Sequence, residues 1–495
     1  MNRADAGWQA HTPVLVGFGT SSRREQAFQD ALEPMDLMQE AVAAAGADSQ
    51  APHMLEEIEH IAVPRGRWSY ANPAGEIARK TGARDATTVL ATVGVLQQTL
   101  VGDACARIAR GEIASALVAG ADAGHRLLRA QLEQQAVVNR EQHDRPDIFM
   151  EPAEDLRHPV ERRAGMQMPV GLYAILESAY RAKQGLGVAQ HRDRIAALWS
   201  RFSHIAAKNP HAWNAHPFSP SDIREVSAHN PMQAFPYTRR HCSNWNVDQG
   251  AALLLCSASR AQALGIPRSR WIYARASAES NHMVPVSARA NLADCVGAGI
   301  AGRAVLDAGG IDAGQLDLID FYSCFPIAVQ AYAEALGLPL ERDLSLTGGM
   351  AFAGGPYNNY FLQATCRAAE LMRAGKGRNA LLSCVSGVLT KQGFGLWSVD
   401  APTAPFVHAD LTDTVAARTP IHQVLDDFSG DATVVGVTVL YGRDHPPRGI
   451  ALLDTPSAER ALATTEDAAL ISIVQERELV GERVRVRANQ IAQVL

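Results

Sequence analysis

A chain of 495 residues, 47% hydrophobic and 20% charged, is too long for one ordinary core and has the composition of a folded multi-domain protein, which excludes a disordered or fibrous one. A formal net charge of -6 and a pI near 6.2 count against a general nucleic-acid binder. Seven cysteines without a C-x-x-C pair, and His204, His211 and His216 without ligand spacing, leave no expectation of a disulfide framework or a metal site. No window reaches the roughly 18 apolar residues of a membrane span, and MNRADAGWQAHTPVLVGFG lacks the apolar run of a leader. A cytoplasmic protein with no membrane contact is expected.

In chain order, residues 13–19 form a short apolar run ending in glycine, and residues 34–45 follow with Met35, Met38 and Val42 at helical spacing. Strands are expected at 58–63 and 114–119, with helices starting near Asn72-Pro73 and at Gln97. Such alternation implies a mainly parallel sheet covered on both faces. The pattern then repeats. Residues 271–276 read as an opening strand and VGAGIAGRAVLDAGG, with Leu306, as its helix; LDLIDFYSC matches LEEIEHIAV. A helix over 359–373 followed by NALLSCVSG matches the helix over 97–110 followed by ASALVAGADAG. Two similar α/β halves are expected.

Between them lies an insertion over 125–240, dense in Arg, His, Gln and Pro, with a helical stretch VGLYAILESAYRAKQGLG that should cap one face of the core. From about residue 402 the runs TVVGVTVLYGRD, GIALLD, ALISIVQ and ERVRVRA read as short strands of a separate β-barrel or sandwich without a helix. The resulting division is 1–124 with 241–270, 125–240, 271–404 and 405–495. The run GAGIAG, with Asp320 beyond it, matches a dinucleotide fingerprint, but the polar SARANLADCV before it cannot be the required buried strand. Glycine-mediated helix packing is the better account.

RIARGEIASALVAGADAG, TGGMAFAGGPYNNY, SCFPIAVQ and SGVLTKQGF together resemble the thiolase superfamily over about the first 400 residues, and within it the thiolase-like proteins of type 1. The resemblance implies an α/β fold of two thiolase-type βαβ halves with an inserted loop domain, plus a C-terminal antiparallel β-barrel. It also implies a degenerate site. The family's nucleophilic cysteine falls at or beside Gly94, its catalytic histidine at Gly355, and its Asn-Glu-Ala-Phe or His-Asp-Cys-Phe box at Tyr322-Ser323-Cys324-Phe325. A thiolase nucleophile is a thiolate at a helix N-terminus, so ordinary thiolase activity is not expected of glycine.

What remains are Cys384, Tyr322, Tyr357 and Asn358 as catalytic candidates and Gly354, Gly355, Ser386 and Gly387 as ligand-binding candidates. Each has a structural alternative: Cys384 and Cys324 as buried packing residues, the tyrosines as fillers of vacated volume, and Asn359 as an N-cap. Coenzyme A or acyl-CoA is the implied ligand, with no tightly bound cofactor, and Arg162, Arg163 and Lys208 of the insertion are candidates for its phosphates. Three readings stay open: an acyl-CoA-utilising acyltransferase or β-keto carbon-carbon cleavage enzyme, a non-catalytic CoA-thioester binding or scaffold protein, and an aldolase-type lyase on an acyl-CoA. A monomer or homodimer is expected.

Overall fold

The computed structural model describes residues 7–442 and 445–495. The first six residues, part of the stretch read above for a leader, and positions 443–444, at the end of TVVGVTVLYGRD, lie outside the described residues.

The first half comprises β1 (Pro13–Ser22), α1 (Pro34–Asp48), β2 (His60–Pro64), α2 (Pro73–Thr81), β3 (Thr87–Ala91), α3 (Gln97–Ala109), β4 (Ser115–Ala123) and β5 (Asp248–Ser257). Local chemistry sets its punctuation. The Asn72 side chain accepts from Gly75 N at 2.8 Å with Pro73 behind it, and Gly82 closes α2 at φ 94°. Strand β5 is buried along its whole length, so its apolar residues show no alternation, and the sequence reading passed over it.

The insertion contributes α4 (Pro169–Lys183) and α5 (Val188–Ala206). The second half comprises β6 (Ile272–Ser280), α6 (Val296–Gly309), β7 (Leu318–Asp320), α7 (Pro326–Ala335), α8 (Tyr360–Arg373), β8 (Asn379–Ser386) and β9 (Lys391–Ser398). The strand order is β3-β2-β4-β5-β1 in the first half and β7-β8-β9-β6 in the second, with matching parallel and antiparallel pairings. The halves meet where β1 and β6 pair antiparallel, so they are related by a pseudo-two-fold axis. GAGIAG lies inside α6, where a Cβ at Gly302 would stand 2.6 Å from Leu336 Cδ2: these glycines pack a helix.

The interleaving of the halves builds the site. Helix α3 packs against β6 and β9 of the second half, while α8 packs against β1 and β5 of the first. Their N-termini are thereby brought together: Gln97 Oε1 accepts from Phe361 N at 2.7 Å.

The tail differs from expectation in three ways. Strand β10 (Val407–Asp410) runs parallel beside β6 and extends the main sheet, so this stretch packs with the core. The barrel proper is β11 (Gly430–Leu440), β12 (Arg448–Asp454), β13 (Arg460–Thr465), β14 (Arg483–Arg487) and β15 (Gln490–Val494), closed in the order β11-β12-β13-β15-β14. Its β13-β15 seam is parallel, which departs from an all-antiparallel barrel. Third, ALISIVQ is helical: α9 (Ala468–Glu476) is capped by Asp467, which accepts from Ala469 N at 2.8 Å, and buries Ile471 and Val474 at i, i+3. β-branched content misled the reading there, whereas the cap and spacing pointed to a helix. The barrel is also tied to the insertion, through Val437 N donating to Ser178 Oγ at 2.8 Å and the buried Arg181 paired with Glu478 at 2.7 Å.

At the start of β5, Asp248 is buried and accepts from Arg126 N at 2.9 Å, but its Oδ2 has no partner. Burial, reinforced by Asp122, pushes its pKa up to about 7. From about pH 4 to 7 the unfolded chain ionises this group while the folded chain holds its proton, so folding stability falls as pH rises through that window. Asp248→Asn is expected to remove this slope and to be more stable than the parent at pH 8, on the order of 2 kcal/mol, as read by urea denaturation at pH 5 and 8.

Candidate active site

Tyr322, Tyr357, Asn358, Cys384 and Ser386 come together with Gly94 and Gln97 around a small cavity of about 90 Å³. Tyr322 follows β7, Asn358 precedes α8, Cys384 and Ser386 lie in β8, and Gln97 opens α3. The glycines do not join them. Gly354 lines a separate cleft of about 390 Å³, Gly355 donates its N–H to Asn244 O at 2.9 Å, and the Gly387 carbonyl accepts from Arg289 Nη2 at 2.9 Å. Five of the eight candidate residues thus share one cavity, and the three glycines lie outside its lining.

Of the two positions that the resemblance assigns to the nucleophile and the histidine, Gly94 is closed by packing and Gly355 is tight. Gly94 has φ +108°, and a Cβ there would stand 2.6 Å from Pro152 Cγ of the insertion. At Gly355 a Cβ would meet Met350 and Ser243 at 3.2 to 3.3 Å.

Cys384 is buried, and its sulfur faces the backbone amides of Gln97 and Gln98 at the N-terminus of α3. Those amides favour a thiolate, but burial outweighs them and pushes the thiol up to about 11. Burial likewise drives the Tyr322 hydroxyl, within reach of Gln97, well above its ordinary range. The Tyr322 ring stands edge-on to Tyr360 at 5.5 Å, and Tyr360 donates to the buried Asp320 at 2.9 Å. Asn358 accepts from Gln97 Nε2 at 3.2 Å, while its own Nδ2, in a residue only 9% exposed, has no partner among the described residues. The site is a set of neutral hydrogen-bond donors around a small space. Asn359 is no cap: its Nδ2 donates to Gly120 O at 2.9 Å across the halves.

Sequence reasoning missed Lys391. It is 3% exposed, and its Nζ donates to the carbonyl of Gly94 at 2.5 Å. Only its place within the SGVLTKQGF motif could have drawn notice, since nothing in a sequence reveals that a lysine is buried.

A larger groove of about 430 Å³ lies alongside, lined by Asn214, Arg239, Arg240, Trp245, Phe325 and Phe352 among others. Trp245, which lines the groove, rests edge-on against Tyr357, which lines the cavity, at 6.1 Å. The groove's cations are Arg239 and Arg240. Arg162 and Arg163 are instead paired with Asp155 and Asp426 on the surface, and Lys208 is exposed elsewhere. His204, His211 and His216 are exposed, and no group of three or more metal-ligating side chains occurs among the described residues. No helix among them is long and apolar enough to cross a membrane.

Residues 410–490 match the family described as thiolase-like protein type 1 additional C-terminal domain. The chain is similar to the monomeric SCP2-thiolase-like protein type 1 of Mycobacterium smegmatis, at 28% identity and TM-score 0.82 over 98% of this chain and 99% of that one. It is a thiolase-like protein with an additional C-terminal domain. Two further structures share the fold of this thiolase-like chain. The Ltp2-ChsH2(DUF35) aldolase is 16% identical with TM-score 0.60, covering 79% of this chain and 99% of that one. The acetyl-CoA acetyltransferase of Syntrophomonas wolfei is 17% identical with TM-score 0.53 at the same coverage. No curated protein matches the sequence.

Proposed function

We propose that this thiolase-like protein binds an acyl-CoA and cleaves a carbon-carbon bond next to its thioester through an enolate, without an acyl-cysteine. The observation that carries this reading is Asn358 Nδ2, a buried donor with no partner in the wall of the small cavity. Leaving such a donor unsatisfied costs roughly 1–3 kcal/mol, which a ligand oxygen would offset. A thioester carbonyl placed there would accept from Asn358 and from the Tyr322 hydroxyl, two donors of the kind that stabilise a developing enolate. The rest of the ligand fits the adjoining groove, with Arg239 and Arg240 toward its phosphates and Trp245 along its stem. A monomer fits the covered edge of β3, which pairs with Ile148–Met150 of the same chain, and the Mycobacterium smegmatis protein is also monomeric.

Exchange of the α-protons of acetyl-CoA in heavy water, followed by NMR, tests the reading. Exchange above background is expected, falling about 10²–10³-fold in Asn358→Ala and in Tyr322→Phe. Binding without exchange would leave a thioester-binding protein, and no binding of any CoA species at millimolar concentration would end the acyl-CoA reading.

A further inference from the structure

The cavity contains donors, but an enolate forms only if something accepts a proton. Cys384 is kept protonated by burial, and Tyr322 and Asn358 are already donors. Lys391 stands against the cavity wall. It is the first residue of β9, directly across the ladder from Ser386, and its amine ends on the carbonyl of Gly94, which lines the cavity.

We propose that Lys391 is the base of this site, its amine taking the α-proton of a thioester held in the cavity; this rests on the enolate reading above. No carboxylate lies within ion-pair distance of it among the described residues. The ionisable groups that face it are Glu154 from the insertion, Glu279 from β6 and Cys384 from β8. A buried ammonium with one carbonyl partner is costly, and burial lowers the pKa of Lys391 toward the neutral amine. A neutral amine still donates one N–H to Gly94 and presents a lone pair.

The turn just before this side chain is strained. Gly387, Val388 and Leu389 have φ of 58°, 55° and 64°, three left-handed residues in succession of which two carry side chains. The turn is pinned by Arg289, which donates to Gly387 O at 2.9 Å and to Val284 O at 3.0 Å, and by Thr390, which donates to His282 O at 3.0 Å. In the step itself the α-carbon proton moves to Lys391 Nζ, and the carbon-hydrogen electron pair passes into the thioester carbonyl, where Asn358 Nδ2 and Tyr322 hold the oxygen. In heavy water the amine returns a deuteron.

Lys391→Ala is expected to lose α-proton exchange by about 10²–10⁴-fold while binding acetyl-CoA with unchanged affinity. Lys391→Arg should lose it equally, because a guanidinium does not give up its proton. Added alkylamines should restore exchange in Lys391→Ala, faster for the more basic amines, which a structural role could not produce. Independently of turnover, reductive methylation with ¹³C-formaldehyde and NMR titration should show Lys391 titrating below the ordinary lysine range. Absence of exchange in the parent protein would count against the enolate reading alone. Exchange that survives Lys391→Ala, or a Lys391 that titrates in the ordinary lysine range, overturns the inference.

Discussion

Gly94→Cys is expected to show no thiolysis of acetoacetyl-CoA above background and to cost about 2–6 kcal/mol of stability. Restoring the family's nucleophile by one substitution fails for two physical reasons. The backbone at position 94 is left-handed at φ +108°, a conformation that costs a non-glycine residue about 1–3 kcal/mol. The new Cβ would also stand 2.6 Å from Pro152 Cγ and 3.0 Å from Pro152 Cβ, and relieving such overlap costs roughly 1–3 kcal/mol more. Urea denaturation measures the stability, and a thioester-cleavage assay the activity. A stable variant with even partial thiolysis would show that Pro152 yields and that the ancestral site is one residue away.

Asp320→Ala should cost about 2–6 kcal/mol and abolish any chemistry at the cavity. Asp320 is 1% exposed and has no cation beside it. One carboxylate oxygen accepts from Leu346 N at 2.7 Å, Ser345 Oγ at 3.0 Å and Thr347 N at 3.2 Å, and the other from Tyr360 at 2.9 Å. Removing it strands the backbone N–H groups of Leu346 and Thr347 in the interior, each with the desolvation penalty of an unmade bond. It also leaves the Tyr360 hydroxyl with Thr347 Oγ1 at 2.6 Å and without its carboxylate, which loosens the edge-on neighbour of Tyr322 and the alignment of the cavity. Asp320→Asn keeps shape and one acceptor, and should lose clearly less in a denaturant titration. Equal stability of Asp320→Ala and the parent would mean that the loop over 345–347 is held by something else.

Much of the framework was legible because its signals are local. The run ending at Gly19, the Asn72-Pro73 start and the 3.6-residue spacing from Met35 to Val42 each act within one turn or strand. The repeat was legible because both halves write the same order of elements. ALISIVQ was misread where composition was weighed over the Asp467 cap, and β10 because apolar content does not tell which sheet a strand joins.

The site needed the tertiary structure. Whether Asn358 keeps a free donor depends on Gln97, 261 residues away, and whether Gly94 can hold a side chain depends on Pro152. Lys391 and Gly94 are 297 residues apart, and only the interleaving of the two halves buries one against the other. By itself the sequence determined the α/β repeat and the added C-terminal domain, since propensity and spacing are carried along the chain. Burial, partner choice and proton affinity were decided by the fold, since each is set by groups that meet only after the chain has folded.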